Sequence, residues 1–267
     1  MTFLRPLLPL SIAAFGILTS AAAALSLKKD SRIVLLGNGL GSRMMQFGSF
    51  ETSLHLQHPK KNLFIRNMCD EGNTPGFRPH SARATPWAFP GAEKFHPPLS
   101  KAKDRWGSTQ TGSGSMPTPD EWLTQLKPDI LIAFFGFNES FNGPAGLENF
   151  RGELHAFIAH TRSQKYNGTS APQLALVSPT AFEDPSNDYE RNIHSNLGLY
   201  TAAMEEIART EKVTFVNCFV LSKSTFSPGK IPLTRDGILL NKDGYSYLQQ
   251  HLIRCLFGIA AWNAPHD

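Results

Sequence analysis

The sequence predicts an α/β protein, a three-layer α/β/α sandwich built on one sheet of five parallel strands. Two observations predict it. Apolar runs of strand length recur five times along the chain, and segments with helical apolar spacing lie between them. Such runs suit strands covered on both faces, as in a parallel sheet whose crossovers are helices. The chain beyond its N-terminal segment also has the length of one sizeable core, since single domains commonly run to about 250 residues.

The N-terminal segment comes first. Arg5 precedes an apolar run from Pro6 to Leu18 and a small-residue stretch from Thr19 to Ala24, the layout of a signal peptide. A membrane-spanning helix needs about 20 apolar residues, more than this run supplies. We therefore expect residues 1–24 to be a signal peptide cleaved after Ala23 or Ala24, and the rest to be secreted or periplasmic with no membrane association. Residues 25–267 then form one domain.

The expected strands are Ile33–Leu36, Leu63–Ile65, Ile130–Phe135, Leu174–Val177 and Val213–Val216. The expected helices are Leu40 to about Leu56, Asp120–Leu126, Leu147–Ser163, Tyr189–Arg209 and Lys242–Ala260. Thr118-Pro119-Asp120-Glu121 supplies an N-cap, a proline at the first helical position and a capping-box glutamate. Leu248, Leu252, Leu256 and Ile259 repeat at helical spacing and mark the last helix as packing on the sheet. A long loop, 68–117, breaks the rhythm. Its first part, to about Leu99, carries Phe77, Trp87, Phe89 and Phe95 and is expected to be ordered, whereas the Gly/Ser-rich stretch Ser108–Ser115 is expected to be mobile.

Composition removes several function classes. The net charge is only +4, and no basic block exceeds Lys60-Lys61, so there is no nucleic-acid footprint. Cys69, Cys218 and Cys255 form no Cys-x-x-Cys pair, and the histidines lack ligand spacing, so no metal or haem motif is present. The three cysteines allow one disulfide at most, and Cys218 and Cys255 read as core residues. A dinucleotide loop is a poor fit, because Ser42 stands where the third glycine of G-x-G-x-x-G belongs.

In an open parallel sheet, ligands sit at the carboxyl ends of the strands. Four blocks fall there: Gly37-Asn38-Gly39-Leu40-Gly41-Ser42, Asn67 to Thr74, Gly136-Phe137-Asn138-Glu139-Ser140, and Asp236-Gly237-Ile238-Leu239-Leu240-Asn241. Their order resembles the SGNH (GDSL-type) hydrolase superfamily, across nearly all of residues 25–267. The runs Phe135-Gly136-Phe137-Asn138-Glu139-Ser140-Phe141, Gln164-Lys165-Tyr166-Asn167-Gly168 and Pro86 to Phe95 are similar to a subgroup found at the N-terminus of planctomycete-type haem-binding proteins.

The resemblance implies a flavodoxin-like sandwich, an ester hydrolase ancestry, a carbohydrate or acyl ester as substrate, and no cofactor. It implies that Gly72 offers a backbone N–H and Asn138 a side-chain amide to an oxyanion, and that Asp236 orients a histidine. Gly39 then stands at the nucleophilic serine position and Leu239 at the histidine position, so the standard Ser/His pair is missing. Ser42, one helical turn beyond Gly39, with His80 or His96 as base, is the conceivable replacement. A non-catalytic carbohydrate-binding module is the competing expectation. Such a module would hold a glycan with Asn138, Asp236 and the loop residues Arg78, Trp87, Phe89 and Glu93, and the candidate substrate contacts overall are Asn38, Arg78, Trp87 and Glu139. Each polar residue also has a structural alternative: Asn138 can bond neighbouring loop backbones, Asp236 can cap the turn before Asn241, and the aromatic residues can anchor their loop.

Overall fold

In the computed structural model, residues 24–78, 85–97, 116–226 and 231–258 are described. Five strands form a single parallel sheet: β1 (Arg32–Gly37), β2 (Phe64–Asn67), β3 (Ile130–Phe134), β4 (Gln173–Val177) and β5 (Thr214–Val216). The spatial order is β2-β1-β3-β4-β5. The chain therefore leaves β1 to one side and later returns to the other, and the carboxyl ends of β1 and β3 flank the switch point where ligands sit in such sheets.

Alternate residues of each strand feed two cores. Ile33, Leu35, Ile130, Ile132 and Phe134 point to one face with Phe50, Leu54, Leu248, Leu252 and Leu256. Val34, Leu36, Leu131, Ala133 and Phe135 point to the other with Phe150, Leu154, Ile158, Tyr200 and Met204. This two-residue alternation between apolar faces explains why the strands read as unbroken apolar runs.

The helices in chain order are α1 (Gly39–Arg43), α2 (Ser49–Gln57), α3 (Pro119–Leu126), α4 (Phe137–Ser140), α5 (Leu147–Ser163), α6 (Asp188–Glu211), α7 (Cys218–Thr225) and α8 (Lys242–Phe257). The helix expected over Leu40–Leu56 is split in two, because Gly48 takes a left-handed conformation with φ +63° ahead of α2. α3 has the expected capping box, with Thr118 Oγ1 accepting from Glu121 N–H while Glu121 accepts from Thr118 N–H. α8 ends at Phe257, where Gly258 adopts φ +66° as the C-cap, and the expected extension to Ala260 lies outside the described residues. α4 and α7 are additions to the expected set.

Of the first part of the long loop, the described residues 68–78 and 85–97 are anchored: Phe77 and Trp87 form a β-bridge, and Phe89 and Ala92 are buried in the core, whereas 79–84 and 98–99 lie outside the described residues. Residues 108–115 lie outside the described residues, as does the N-terminal segment through residue 23. All three cysteines are free thiols, and burial pushes Cys69 and Cys218 well above the usual thiol range. Among the described residues no helix is long and apolar enough to cross a membrane.

Candidate functional site

The corner after β1 is built by backbone contacts. Gly37 has φ +115°, and a Cβ there would fall 2.0 Å from the Phe134 carbonyl oxygen, so only glycine fits. The Gly37 carbonyl in turn accepts from Asp70 N–H at 2.9 Å and from Asn73 Nδ2 at 3.2 Å, tying the corner to the turn after β2. Asn38 is buried, and its side-chain oxygen caps α1 by accepting from Leu40 N–H at 3.2 Å. That burial takes Asn38 out of the surface a ligand could touch, contrary to the substrate-contact expectation.

Gly39 differs from Gly37. Its φ lies outside the left-handed region, and the nearest atom to an added Cβ is Glu71 Cγ at 3.5 Å, an ordinary contact. A side chain fits at position 39; the corner simply has none. The backbone N–H groups of Gly39 and Gly72 have no hydrogen-bond partner among the described residues.

Asn138 stands on α4, and its amide is fully engaged. Nδ2 donates to the Glu71 carbonyl at 2.7 Å and to the Asn73 carbonyl at 2.8 Å. An amide nitrogen carries two hydrogens, so none is left for an oxyanion in this arrangement. Asp236 is likewise occupied within its own loop: Oδ1 accepts from Ile238 N–H at 3.1 Å and Leu239 N–H at 2.8 Å. This is an Asx turn, with Gly237 at φ +88° packed beside Phe182. Leu239 projects partly into solvent from that turn. The whole loop is clasped by Glu183, whose carboxylate accepts from Leu233 N–H at 2.9 Å and from both the N–H and the hydroxyl of Thr234.

Beneath the corner lies a buried acidic pair. Glu153, on α5, accepts from Thr74 Oγ1 at 2.8 Å and Gly76 N–H at 2.7 Å, and its Oε1 lies 2.6 Å from His96 Nε2. His96 is also stacked on Trp87 with ring centroids 5.3 Å apart, and Phe77 lies 5.5 Å away. Trp87 and His96 are thus anchors of the long loop. Glu139 is buried, with Oε2 accepting from Gly136 N–H at 2.9 Å and Oε1 unpartnered. Burial first, and the Glu153 charge second, push its carboxyl up to about 8. It lies under the site, not on its surface, which corrects the expectation of a substrate contact. Arg78 is 5% exposed and donates to the Thr74 and Phe77 carbonyls.

Ser42 lies on α1 and donates its N–H to the Asn38 carbonyl at 3.1 Å. α1 leads into the face that holds Met44, whereas His96 packs on α5 across the sheet. His80 lies outside the described residues. Sequence reasoning gave no role to Glu71, Glu153 or Glu183. Glu71 belongs to the segment Asn67 to Thr74, but only the fold shows that it faces Gly39. Among the described residues no group of three or more His, Cys, Asp and Glu side chains is placed to hold a metal ion.

The architecture is a three-layer sandwich on a five-stranded parallel sheet, with Gly39 at the corner after β1 and Leu239 on the turn before α8. Solved structures share the fold. An acetylxylan esterase from Geobacillus stearothermophilus aligns over 90% of this chain and 100% of its own, at 13% identity and a TM-score of 0.58. A structure described as a GDSL-like lipase, from Parabacteroides merdae, aligns over 88% and 99% at 15% identity and a TM-score of 0.59. An α/β hydrolase from the metagenome of Lake Arreo aligns over 86% and 96% at 14% identity and a TM-score of 0.55. Neither a protein-family model nor a curated protein sequence matches the chain.

Proposed function

We propose that this protein recognises carbohydrate or acyl esters on an SGNH scaffold and lacks the Ser/His route for cleaving them. What supports the reading is the pair Gly39 and Leu239, which by the sequence resemblance fall at the nucleophile and base positions, in a fold shared with acetylxylan esterases. Catalytic variants of the Geobacillus enzyme replace a serine and an aspartate.

Ester cleavage by this route needs a hydroxyl to attack the carbonyl carbon, a base to take its proton, and donors for the oxyanion. Glycine has no oxygen to attack with, and leucine accepts no proton. Losing either member of such a pair costs several orders of magnitude in rate. Asn138 Nδ2 is taken up by the Glu71 and Asn73 carbonyls and Asp236 Oδ1 by its own turn, which further supports binding without turnover. The Gly39 and Gly72 N–H groups are donors that can hold a carbonyl oxygen without activating it. An exported location, from the N-terminal segment, places the protein where glycan esters are met.

The test uses the full chain with acetylated xylo-oligosaccharides for binding and nitrophenyl acetate for turnover. Binding by calorimetry, with hydrolysis no faster than buffer, is the expected result. Hydrolysis well above buffer that Asn138→Ala abolishes would establish an active esterase instead. The relocated pair of Ser42 and His96 is disfavoured by the engagement of His96 Nε2 with Glu153.

A further inference from the structure

Glu71 differs from the other polar residues around the corner. Its backbone is held at both ends: the N–H donates to Asp70 Oδ1 at 2.8 Å, and the carbonyl accepts from Asn138 Nδ2 at 2.7 Å. Its carboxylate has no hydrogen-bond or ion-pair partner among the described residues. The residue is exposed, yet its stem lies along Gly39, with Cγ 3.5 Å and Cβ 4.0 Å from where a side chain at position 39 would begin. Glu71 thus carries an unengaged negative charge on a pinned backbone, over the open side of Gly39 and one residue before the free N–H of Gly72. Beside this turn, at the carboxyl end of β2, lies a cavity of about 230 Å³. Asn73 lines it while donating to the Gly37 carbonyl, so the cavity and the corner share a wall.

We propose that Glu71 sets the specificity of the corner by accepting a hydrogen bond from a free hydroxyl next to the ester of a partly acylated sugar. This deepens the ester reading above and rests on it. An ester carbonyl offers only acceptor atoms, which suit the Gly39 and Gly72 N–H groups and give a carboxylate nothing. A ligand that covers Glu71 without a donor strips water from a charge and leaves it unpaired, and an unmade bond costs more than a made one gains. Sites built to bond a hydroxyl reject analogues lacking it for this reason.

The corner then reads two groups at once, a carbonyl oxygen through its N–H groups and a neighbouring O–H through Glu71. A fully acylated ring fails the second requirement, and an acidic ring meets a like charge. The same carboxylate works against cleavage. Negative charge grows on the carbonyl oxygen when an ester is attacked, and a carboxylate one residue from the Gly72 N–H opposes it. The cavity leaves room for the sugar next to the esterified one, with Met68 and Trp122 as apolar walls.

The experiment is isothermal titration calorimetry on the full chain with two synthetic xylotriosides. One carries a single acetyl group at O2 of its terminal sugar and a free hydroxyl at O3, and the other is the same compound with that hydroxyl replaced by hydrogen. The wild-type protein is expected to bind the hydroxyl compound about ten-fold tighter, the factor that one charge-assisted hydrogen bond supplies. Glu71→Gln, a neutral acceptor of the same shape, should narrow the gap to about three-fold, because a neutral bond is roughly half as strong. Glu71→Ala should close the gap, and neither variant should shift the unfolding midpoint. Equal binding of the two compounds by the wild type, or an unchanged gap in Glu71→Ala, overturns the role of Glu71 and leaves the ester reading standing. Binding of neither compound overturns the ester reading and takes the role of Glu71 with it. If Glu71→Ala fails to fold, Glu71→Gln decides, and a gap that stays ten-fold wide in it overturns the proposal.

Discussion

The corner after β1 and the cavity beside β2 meet at Asn73, and they differ in how much open volume their polar groups leave. At the corner, Asn38, Asn138 and Asp236 turn their hydrogen bonds inward to cap α1, to hold residues 71–73 and to close the Asx turn. At the cavity, Arg78 is buried and donates to the Thr74 and Phe77 carbonyls, while Arg66 stays exposed beside an open volume. The first region is closed by its own hydrogen bonds, with a glycine at position 39 and a leucine at position 239. The second leaves room beside its polar groups. The difference teaches that closed and open polar surfaces can stand within a few residues of each other on one sheet edge.

The largest effect expected from breaking the corner is at Gly37. Gly37→Ala should cost more than about 4 kcal/mol and leave little soluble folded protein, because the added methyl overlaps the Phe134 carbonyl and the backbone is left-handed. Thermal denaturation and soluble yield report it. A well-folded variant would mean that the corner is not the rigid frame described.

Asn138→Ala should come next, at about 2 kcal/mol, for two hydrogen bonds to loop carbonyls. Urea denaturation measures it. A variant of unchanged stability would show that the amide is free for a ligand, which would erase the contrast with the cavity.

Glu139→Gln tests the layer beneath both regions. The carboxyl is raised to about 8 in the folded protein from an ordinary value of 4.5, so between these pH values the folded state holds a proton that the unfolded chain has released. Its contribution is fully present below about pH 4.5 and is lost as pH rises through about 8, with a slope on the order of 1 kcal/mol per pH unit. Stability measured from pH 5 to 8 should fall less steeply in the glutamine variant. Parallel curves for the two proteins would refute the assignment.

The smallest expected change is Gly39→Ser, within about 0.5 kcal/mol, since the site accepts a Cβ at 3.5 Å from its nearest neighbour. Combined with Leu239→His, it should raise nitrophenyl acetate hydrolysis above buffer. A large destabilisation by Gly39→Ser alone would show that the corner is closed to side chains.

Much of the fold was legible in the sequence because each strand is buried on both faces and so reads as an apolar run. β1, β3 and β4 fall within a residue or two of expectation, and α5 coincides with it. α2 was merged with α1 because Gly48 carries no local mark distinguishing a break from a tolerated helical glycine. α7 was missed because Cys218, placed as a core residue beside a strand, opens a helix whose N-cap is Asn217. At the site, the four blocks could be put in order and Asn138 could be read as a bond to loop backbones, but the carbonyls it bonds could not be named. Its partners are the carbonyls of Glu71 and Asn73, some 65 positions away in sequence, and only the folded sheet brings them within reach. The same holds for Glu153, whose bonds to Thr74, Gly76 and His96 pin a loop from across a core.

The Glu183 clasp has a bearing on how such a protein can change over time. It fixes the loop from Leu233 to Asp236 through atoms that owe nothing to residue 239, and the Asx turn uses only the backbone of that residue. Selection for a stable fold is therefore blind to the side chain at 239. A lineage could exchange that side chain in one substitution and leave the surrounding architecture as it was.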